Sequence, residues 1–347
     1  MDISSYFKQA IEQKASDLHL VAGSIPVLRI SGELIKLNYD IIEDGDLKRA
    51  IQSLVDEKTW KKFEEKKELD FSQGFFGSRF RVNLHYQEGK IGLTARLVPE
   101  FIPQPDELGF DEVIYKLTHL KDGLILVTGP SGSGKSTTLA AMIDIINRER
   151  RTHIITIEDP VEYLFKEDQS IIEQRELGTD TKDFASALKY ALRQDPNVIM
   201  VGEMRDLETI SAALTAAETG HLVLSTLHTA TAPETIERIV DVFPAHQQQE
   251  ILNQLASVLK AVIAQQLLPR VDGGRVAARE IMINNRAVAN LIRRNQIEQI
   301  YTVIQTSHKE GMITLNKAVD RLSAAGFISE DIAKNSKRDL ETQAAYY

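Results

Sequence analysis

Gly129-Pro130-Ser131-Gly132-Ser133-Gly134-Lys135-Ser136 is the stretch on which the fold turns. It satisfies the pattern G-x-x-x-x-G-K-[ST] at every fixed position. Before it lies Gly123-Leu124-Ile125-Leu126-Val127-Thr128, a short apolar run of strand formers. After it, Thr137-Thr138-Leu139-Ala140-Ala141-Met142-Ile143 reads as the opening turns of a helix. Strand, glycine loop, helix is the setting in which this pattern cradles phosphate. The glycines let successive N–H groups turn inward, and the helix N-terminus adds partial positive charge at the same place. Lys135 has the reach for β- and γ-phosphates, and the Ser136 hydroxyl can ligate Mg²⁺. The expected ligands are ATP and Mg²⁺, held by Gly129, Ser131, Gly132, Ser133, Gly134, Lys135, Ser136 and Thr137.

A chain of 347 residues is long enough for two or three domains. Its 43% hydrophobic and 26% charged content is that of an ordinary globular protein. No run is long and apolar enough for a membrane span, and Met1-Asp2-Ile3-Ser4-Ser5-Tyr6-Phe7-Lys8 lacks the plan of a signal peptide. The expectation is therefore a cytoplasmic protein with no direct membrane insertion. With no cysteine in the chain, disulfides, iron–sulfur clusters and cysteine zinc sites are excluded together. A net charge of -9 argues against nucleic acid as a partner. Lys61, Lys62, Lys66 and Lys67 read as a solvated helix face rather than a membrane-facing patch.

Residues 1–98 mix helix and strand signals. Helices are expected over 3–14 and 47–67, and strands at 18–21, 27–30, 33–37, 78–86 and 91–98, with a hairpin turn at Ser31-Gly32. In Arg79-Phe80-Arg81-Val82-Asn83 the alternation puts both arginines on one face. Pro99, Pro103 and Pro105 then place an interdomain linker at 99–109. From Phe110 strands alternate with helices: strands at 124–127, 154–157, 198–201, 222–225 and 277–283, helices at 137–147, 181–193 and 207–219. That is the pattern of an α/β sheet covered on both faces. The ATPase domain is expected over 110–347, helical from about 285, with a loosely ordered polar tail from about Lys334.

Three further segments carry chemistry. Thr156-Ile157-Glu158-Asp159-Pro160-Val161-Glu162 leaves a strand with acids at its carboxyl end, where α/β ligands bind; these can hold Mg²⁺ waters or polarise an attacking water, or simply form a solvated turn. Val198-Ile199-Met200-Val201-Gly202-Glu203 is an apolar strand delivering one acid toward Mg²⁺ and γ-phosphate. His221 and His228 bracket a strand expected beside that of the phosphate loop, and are candidates for sensing the γ-phosphate. Arg79, Arg81 and Arg96, on strands just before the linker, could stabilise charge in a neighbouring subunit's site or be surface arginines.

These segments, in this order, resemble the secretion ATPases of type II secretion and type IV pili. The run Ala191–Asp206 is close to that family's consensus, and Ala15-Ser16-Asp17-Leu18-His19-Leu20 matches as well. Within the family the chain looks most like the retraction branch: it lacks the tetracysteine element, and Ala287-Val288-Ala289-Asn290-Leu291-Ile292-Arg293 resembles that branch's C-terminal motif, departing from it at Ala289 and Arg294. The resemblance implies a PAS-like N-terminal domain, a RecA-like P-loop core with a helical C-terminal segment, and a homohexamer that hydrolyses ATP to power type IV pilus retraction and twitching motility. It implies Glu162 as the water-activating base, Glu203 and Glu158 with Ser136 around Mg²⁺, His221 and His228 as γ-phosphate links, and Arg81, Arg96 and Arg79 as charge-stabilising arginines. It also implies a PilC-like inner-membrane platform protein as partner at the cytoplasmic face of the pilus base, and leaves room for a PilU-like accessory paralogue. Rival readings are a DNA-conjugation or type IV secretion ATPase, and a nucleotide-binding paralogue that only remodels the motor.

Overall fold

A computed structural model describes residues 2–30, 32–99 and 101–338. The chain divides into two compact units, one comprising Met1–Phe101 with Glu162–Leu164, the other Ile102–Val161 with Phe165–Tyr347.

In the first unit, Asp2 accepts the Ser4 N–H and opens α1 (Ile3–Glu12), which buries Ile3, Tyr6, Phe7 and Ala10 at helical spacing. Then come β1 (Asp17–Val21), β2 (Val27–Ile30), β3 (Glu33–Lys36), α2 (Asp44–Gln52), α3 (Glu57–Lys66), β4 (Glu68–Phe75), β5 (Ser78–Gln87) and β6 (Lys90–Leu97). The strands form one six-stranded sheet in the order β3-β2-β1-β6-β5-β4, antiparallel at every pairing. Phe80, Val82 and Leu84 of β5 are fully buried, and Arg79, Arg81 and Asn83 take the opposite face.

Two expectations for this unit are corrected. The helix expected over 47–67 is two helices, because Asp56 accepts the Thr59 N–H and starts a new one. The strand β4 was not foreseen; its mixed burial hides the alternation that marks a half-buried strand. The β2–β3 pairing forms, and Ser31 of its turn lies outside the described residues.

Pro99 and residues 101–109 carry no helix or strand. The second unit continues with α4 (Glu112–Thr118), β7 (Gly123–Thr128), α5 (Lys135–Glu149), β8 (His153–Glu158), β9 (Ile171–Glu176), α6 (Phe184–Ala191), β10 (Val198–Val201), α7 (Leu207–Glu218), β11 (Leu222–Leu227), α8 (Ala232–Asp241), α9 (Ala245–Val258), β12 (Leu259–Pro269), β13 (Arg275–Ile283), α10 (Arg286–Arg293), α11 (Ile300–Thr306), α12 (Leu315–Ala324) and α13 (Glu330–Ser336). Its seven strands run β13-β12-β7-β11-β10-β8-β9, parallel throughout except for the β12–β13 hairpin.

Period-two alternation feeds two cores. Leu124 and Leu126 of β7 join Ile155, Ile157, Ile199, Val201 and Val223 against α6 to α11. Ile125 and Val127 join Ile154, Val198, Met200, Leu222 and Leu224 against α4, α5 and α12. Burying each such side chain contributes about 1.5–3 kcal/mol, which makes this doubly covered sheet a rigid mount for the loops at its carboxyl edge. The tail correction is local: Ser329 accepts the Ile332 N–H and opens α13, which contains Lys334. Residues 339–347 lie outside the described residues.

Candidate functional site: a phosphate loop at the carboxyl edge of the sheet

The loop leaves β7 at Thr128 and enters α5 at Lys135. Gly129 has φ 143°, and a Cβ there would sit 2.2 Å from the Gln265 carbonyl oxygen. No side chain could replace its hydrogen without moving β12. Gly134 occupies the helix cap in the left-handed region at φ 85°, with no side-chain cap. The first-turn N–H groups of α5 have no intrahelical acceptor, so they are left for an anion. Ser133 Oγ is buried without a hydrogen-bond partner among the described residues.

Lys135 Nζ donates to the carbonyls of Gly129 at 2.8 Å and Pro130 at 3.1 Å. Burial pulls its ammonium below the ordinary lysine range, and the charge of Glu203 opposes that pull. Glu203 stands just past the end of β10. One of its oxygens meets Arg205 Nε at 2.6 Å and the other lies 3.5 Å from His228 Nε2. His228 follows β11, which pairs in parallel with both β7 and β10. Parallel register is what brings Lys135, Glu203 and His228 to one edge. Thr226 Oγ1 donates to the Gly202 carbonyl at 2.6 Å, fixing the backbone that presents Glu203.

Glu158, at the end of β8, is buried, and its Oε1 accepts from Thr156 Oγ1 at 2.7 Å and Gln174 Nε2 at 3.1 Å. These bonds anchor it within the sheet edge. Glu162 belongs to the segment grouped with the first unit, and Glu203 to the second. Arg79, Arg81 and Arg96 also belong to the first unit. There Arg81 lies directly opposite Arg96 across β5 and β6. Arg96 Nε pairs with the buried Asp17 at 2.8 Å, and Arg29 Nε approaches that carboxylate at 3.9 Å.

His221 lies at the other end of β11. It precedes β11, and the Gly123 N–H at the start of β7 donates to its carbonyl. The six residues of β11 at about 3.3 Å each put roughly 20 Å between it and the loop's edge of the sheet. Its Nδ1 sits 2.9 Å from the Ala216 carbonyl, against the end of α7. His228→Ala is therefore expected to lower ATP turnover by about tenfold or more, and His221→Ala to leave it within about twofold. Steady-state phosphate release from the two variants checks this.

Sequence reasoning missed Gln265. This residue of β12 is 3% exposed; its Nε2 donates to the Ser133 carbonyl at 2.7 Å, and its Oε1 accepts from Thr138 Oγ1 on α5 at 2.9 Å. It thus holds both the loop and the helix that follows. A cavity of about 350 Å³ adjoins the loop, lined by Gly134, Thr137, Gln265, Leu267, Arg275 and Val276 among others. Among the described residues no cluster of three His, Cys, Asp or Glu side chains is placed to hold a metal ion. Loop N–H groups, a half-buried lysine and an unpartnered hydroxyl fit a nucleotide polyphosphate.

The family described as Type II/IV secretion system protein matches residues 107–330. The chain belongs to this family. It is 46% identical over 339 residues to the type IV pilus retractation ATPase PilT of Pseudomonas aeruginosa, covering 97% of this chain and 98% of the relative. Against the twitching motility protein of Neisseria gonorrhoeae it is 42% identical over 344 residues, covering 99% and 92%. A crystal structure of the pilus retraction motor PilT with bound ADP is similar at TM-score 0.92 and 48% identity, covering 99% of this chain and 98% of that one. This secretion family member is thus a nucleotide-binding ATPase. Among the described residues no helix is long and apolar enough to cross a membrane.

Proposed function

We propose that this chain is an ATP-hydrolysing motor that powers retraction of type IV pili and hence twitching motility. The observation that carries the reading is full-length similarity to retraction ATPases in a chain whose own Lys135, Glu203 and His228 converge on a phosphate loop. The second unit acts as a RecA-like core and the first as a PAS-like domain. The motor works as a homohexamer at the cytoplasmic face of the inner membrane, against a PilC-like platform protein.

Loop N–H groups and Lys135 hold the β- and γ-phosphates of ATP, and the nucleoside occupies the adjoining cavity. Ser136 and Glu203 hold Mg²⁺, and the ion when bound neutralises charge developing on the phosphates. Glu162 accepts the proton of the attacking water. His228, touching Glu203, reports the state of the γ-phosphate to the turn leading into α8. Arg81, Arg96 and Arg79 stabilise charge in the site of an adjacent subunit; for Arg96 this requires exchanging its Asp17 partner. Only a difference in contacts between nucleotide states moves the domains.

The test is complementation of a strain lacking its retraction ATPase with this chain and with its Glu203→Ala variant. Restored retraction by the wild type alone is the expected result. Failure of both, with ATPase activity intact in vitro, overturns the retraction role. Hydrolysis stimulated by nucleic acid would favour a DNA-conjugation motor instead.

A further inference from the structure

Behind the phosphate loop lies a buried arginine that the proposed chemistry does not use. Arg279, on β13, stands directly opposite Gln265 in the β12–β13 register and is 7% exposed. Its Nη1 donates to the Leu108 carbonyl at 2.8 Å and lies 3.4 Å from that of Gly109. Its guanidinium carbon is 5.2 Å from the centre of the Phe110 ring. On the other side its Nε lies 3.4 Å from Gln265 Oε1, a long contact. Among the described residues no carboxylate lies within ion-pair distance; Asp111 acts only at longer range. Burial lowers its pKa to about 10, which still leaves it charged at neutral pH.

A cation buried among neutral oxygens is a poor structural strut, since an apolar pair of the same volume is usually as stable or more so. What the arrangement does instead is join two places. At one end are residues 108–110, in the stretch without helix or strand that precedes α4. At the other is Gln265, whose amide grips Ser133 in the loop and Thr138 on α5.

We propose that Arg279 and Gln265 are positioning residues forming a relay that sets the phosphate loop according to the placement of residues 108–110. The inference rests on the loop being the ATP site. Movement of that stretch shifts the Leu108 carbonyl and the Phe110 ring, and the rigid, planar guanidinium carries that shift to the Gln265 amide. The amide in turn rotates the Ser133 carbonyl and with it the loop N–H groups. Lysine keeps the charge but cannot bridge both ends.

Arg279 and Leu108 also line the cavity beside the loop, so the test must separate a relay from direct contact with the nucleoside. Inorganic triphosphate, which has no nucleoside, does so. Calorimetric titration of the full chain with ADP and with Mg²⁺-triphosphate is run on the wild type, Gln265→Ala, Arg279→Lys, Arg279→Met and the Gln265→Ala/Arg279→Met double variant, with melting temperature as the folding check. Gln265→Ala is expected to weaken both ligands on the order of tenfold. Both Arg279 variants are expected to weaken both ligands by roughly 2–30-fold. The double variant should be no weaker than Gln265→Ala alone, because the arginine acts through the amide.

Loss of ADP affinity with triphosphate affinity intact overturns the relay in favour of a nucleoside contact. Effects that multiply in the double variant, or Arg279 variants within twofold of wild type, overturn it as well. Should Arg279→Met not fold, Arg279→Lys alone and in the Gln265→Ala background completes the cycle. Failure of the wild type to hydrolyse ATP counts against the proposed function, whereas these titrations judge the relay independently of turnover.

Discussion

Lys135→Ala will lower ATP turnover by about 10³-fold, the upper range for removing one preorganised donor to developing charge, and will weaken Mg²⁺-triphosphate binding as well. The lysine contributes in both states because it is already in place. Its ammonium is held by the Gly129 and Pro130 carbonyls, so no search through rotamers precedes contact with phosphate, and partial burial strengthens each electrostatic contact it makes. Lys135→Arg keeps the charge but brings a longer planar group against the same two carbonyls, and is expected to recover only a small part of the activity. Single-turnover hydrolysis together with equilibrium binding separates the two effects. A Lys135→Ala protein that turns over at the wild-type rate would remove the loop from the active site.

Much of this site was legible because its physics is local. The phosphate loop needs only a strand, glycines and a helix start in succession, and β7 and α5 supply them with the expected limits to within two residues. Glu203 was legible for the same reason: an apolar strand of four residues ends just before it. His221 and His228 both looked functional because they flank one short strand. Counting residues along that strand separates them, since a parallel β11 carries its two ends to opposite edges of the sheet.

What stayed hidden depended on register between distant strands. Gln265 sits in Leu259-Lys260-Ala261-Val262-Ile263-Ala264-Gln265-Gln266-Leu267, and α9 passes into β12 at Val258/Leu259 with no turn residue to mark the change. Two glutamines within an apolar run were the available sign that a buried amide has a task. Arg279 reads as an ordinary arginine until the hairpin register sets it against Gln265. Of the C-terminal motif positions, Ala289 of α10 is buried in the core, whereas Arg293 and Arg294 are exposed.

Glu203→Gln is expected to reduce turnover by about 10²–10³-fold, within the range for losing a positioned carboxylate at the reacting group, while the protein still binds ATP. The amide keeps the shape of the side chain but loses the charge that Arg205 and His228 meet on its two oxygens, and it is a weaker holder for Mg²⁺. Arg205→Ala is the control. Arg205 is an exposed partner at 71%, so its removal should change turnover by only a few-fold, as befits a solvent-screened pair. A second consequence concerns pH. In the wild type, burial lowers the pKa of Lys135 and Glu203 resists that lowering. With the carboxylate neutralised the resistance is gone, and the pKa of Lys135 falls further. The charged lysine is the form that binds phosphate, so affinity is retained below that pKa and lost above it. Triphosphate affinity of Glu203→Gln must therefore begin to fall at a lower alkaline pH than that of the wild type. Titrations across the alkaline range read the displacement directly. Coincident profiles would mean that Glu203 does not act on Lys135 through space, and would leave the carboxylate's effect on turnover to its contact with the reacting groups alone.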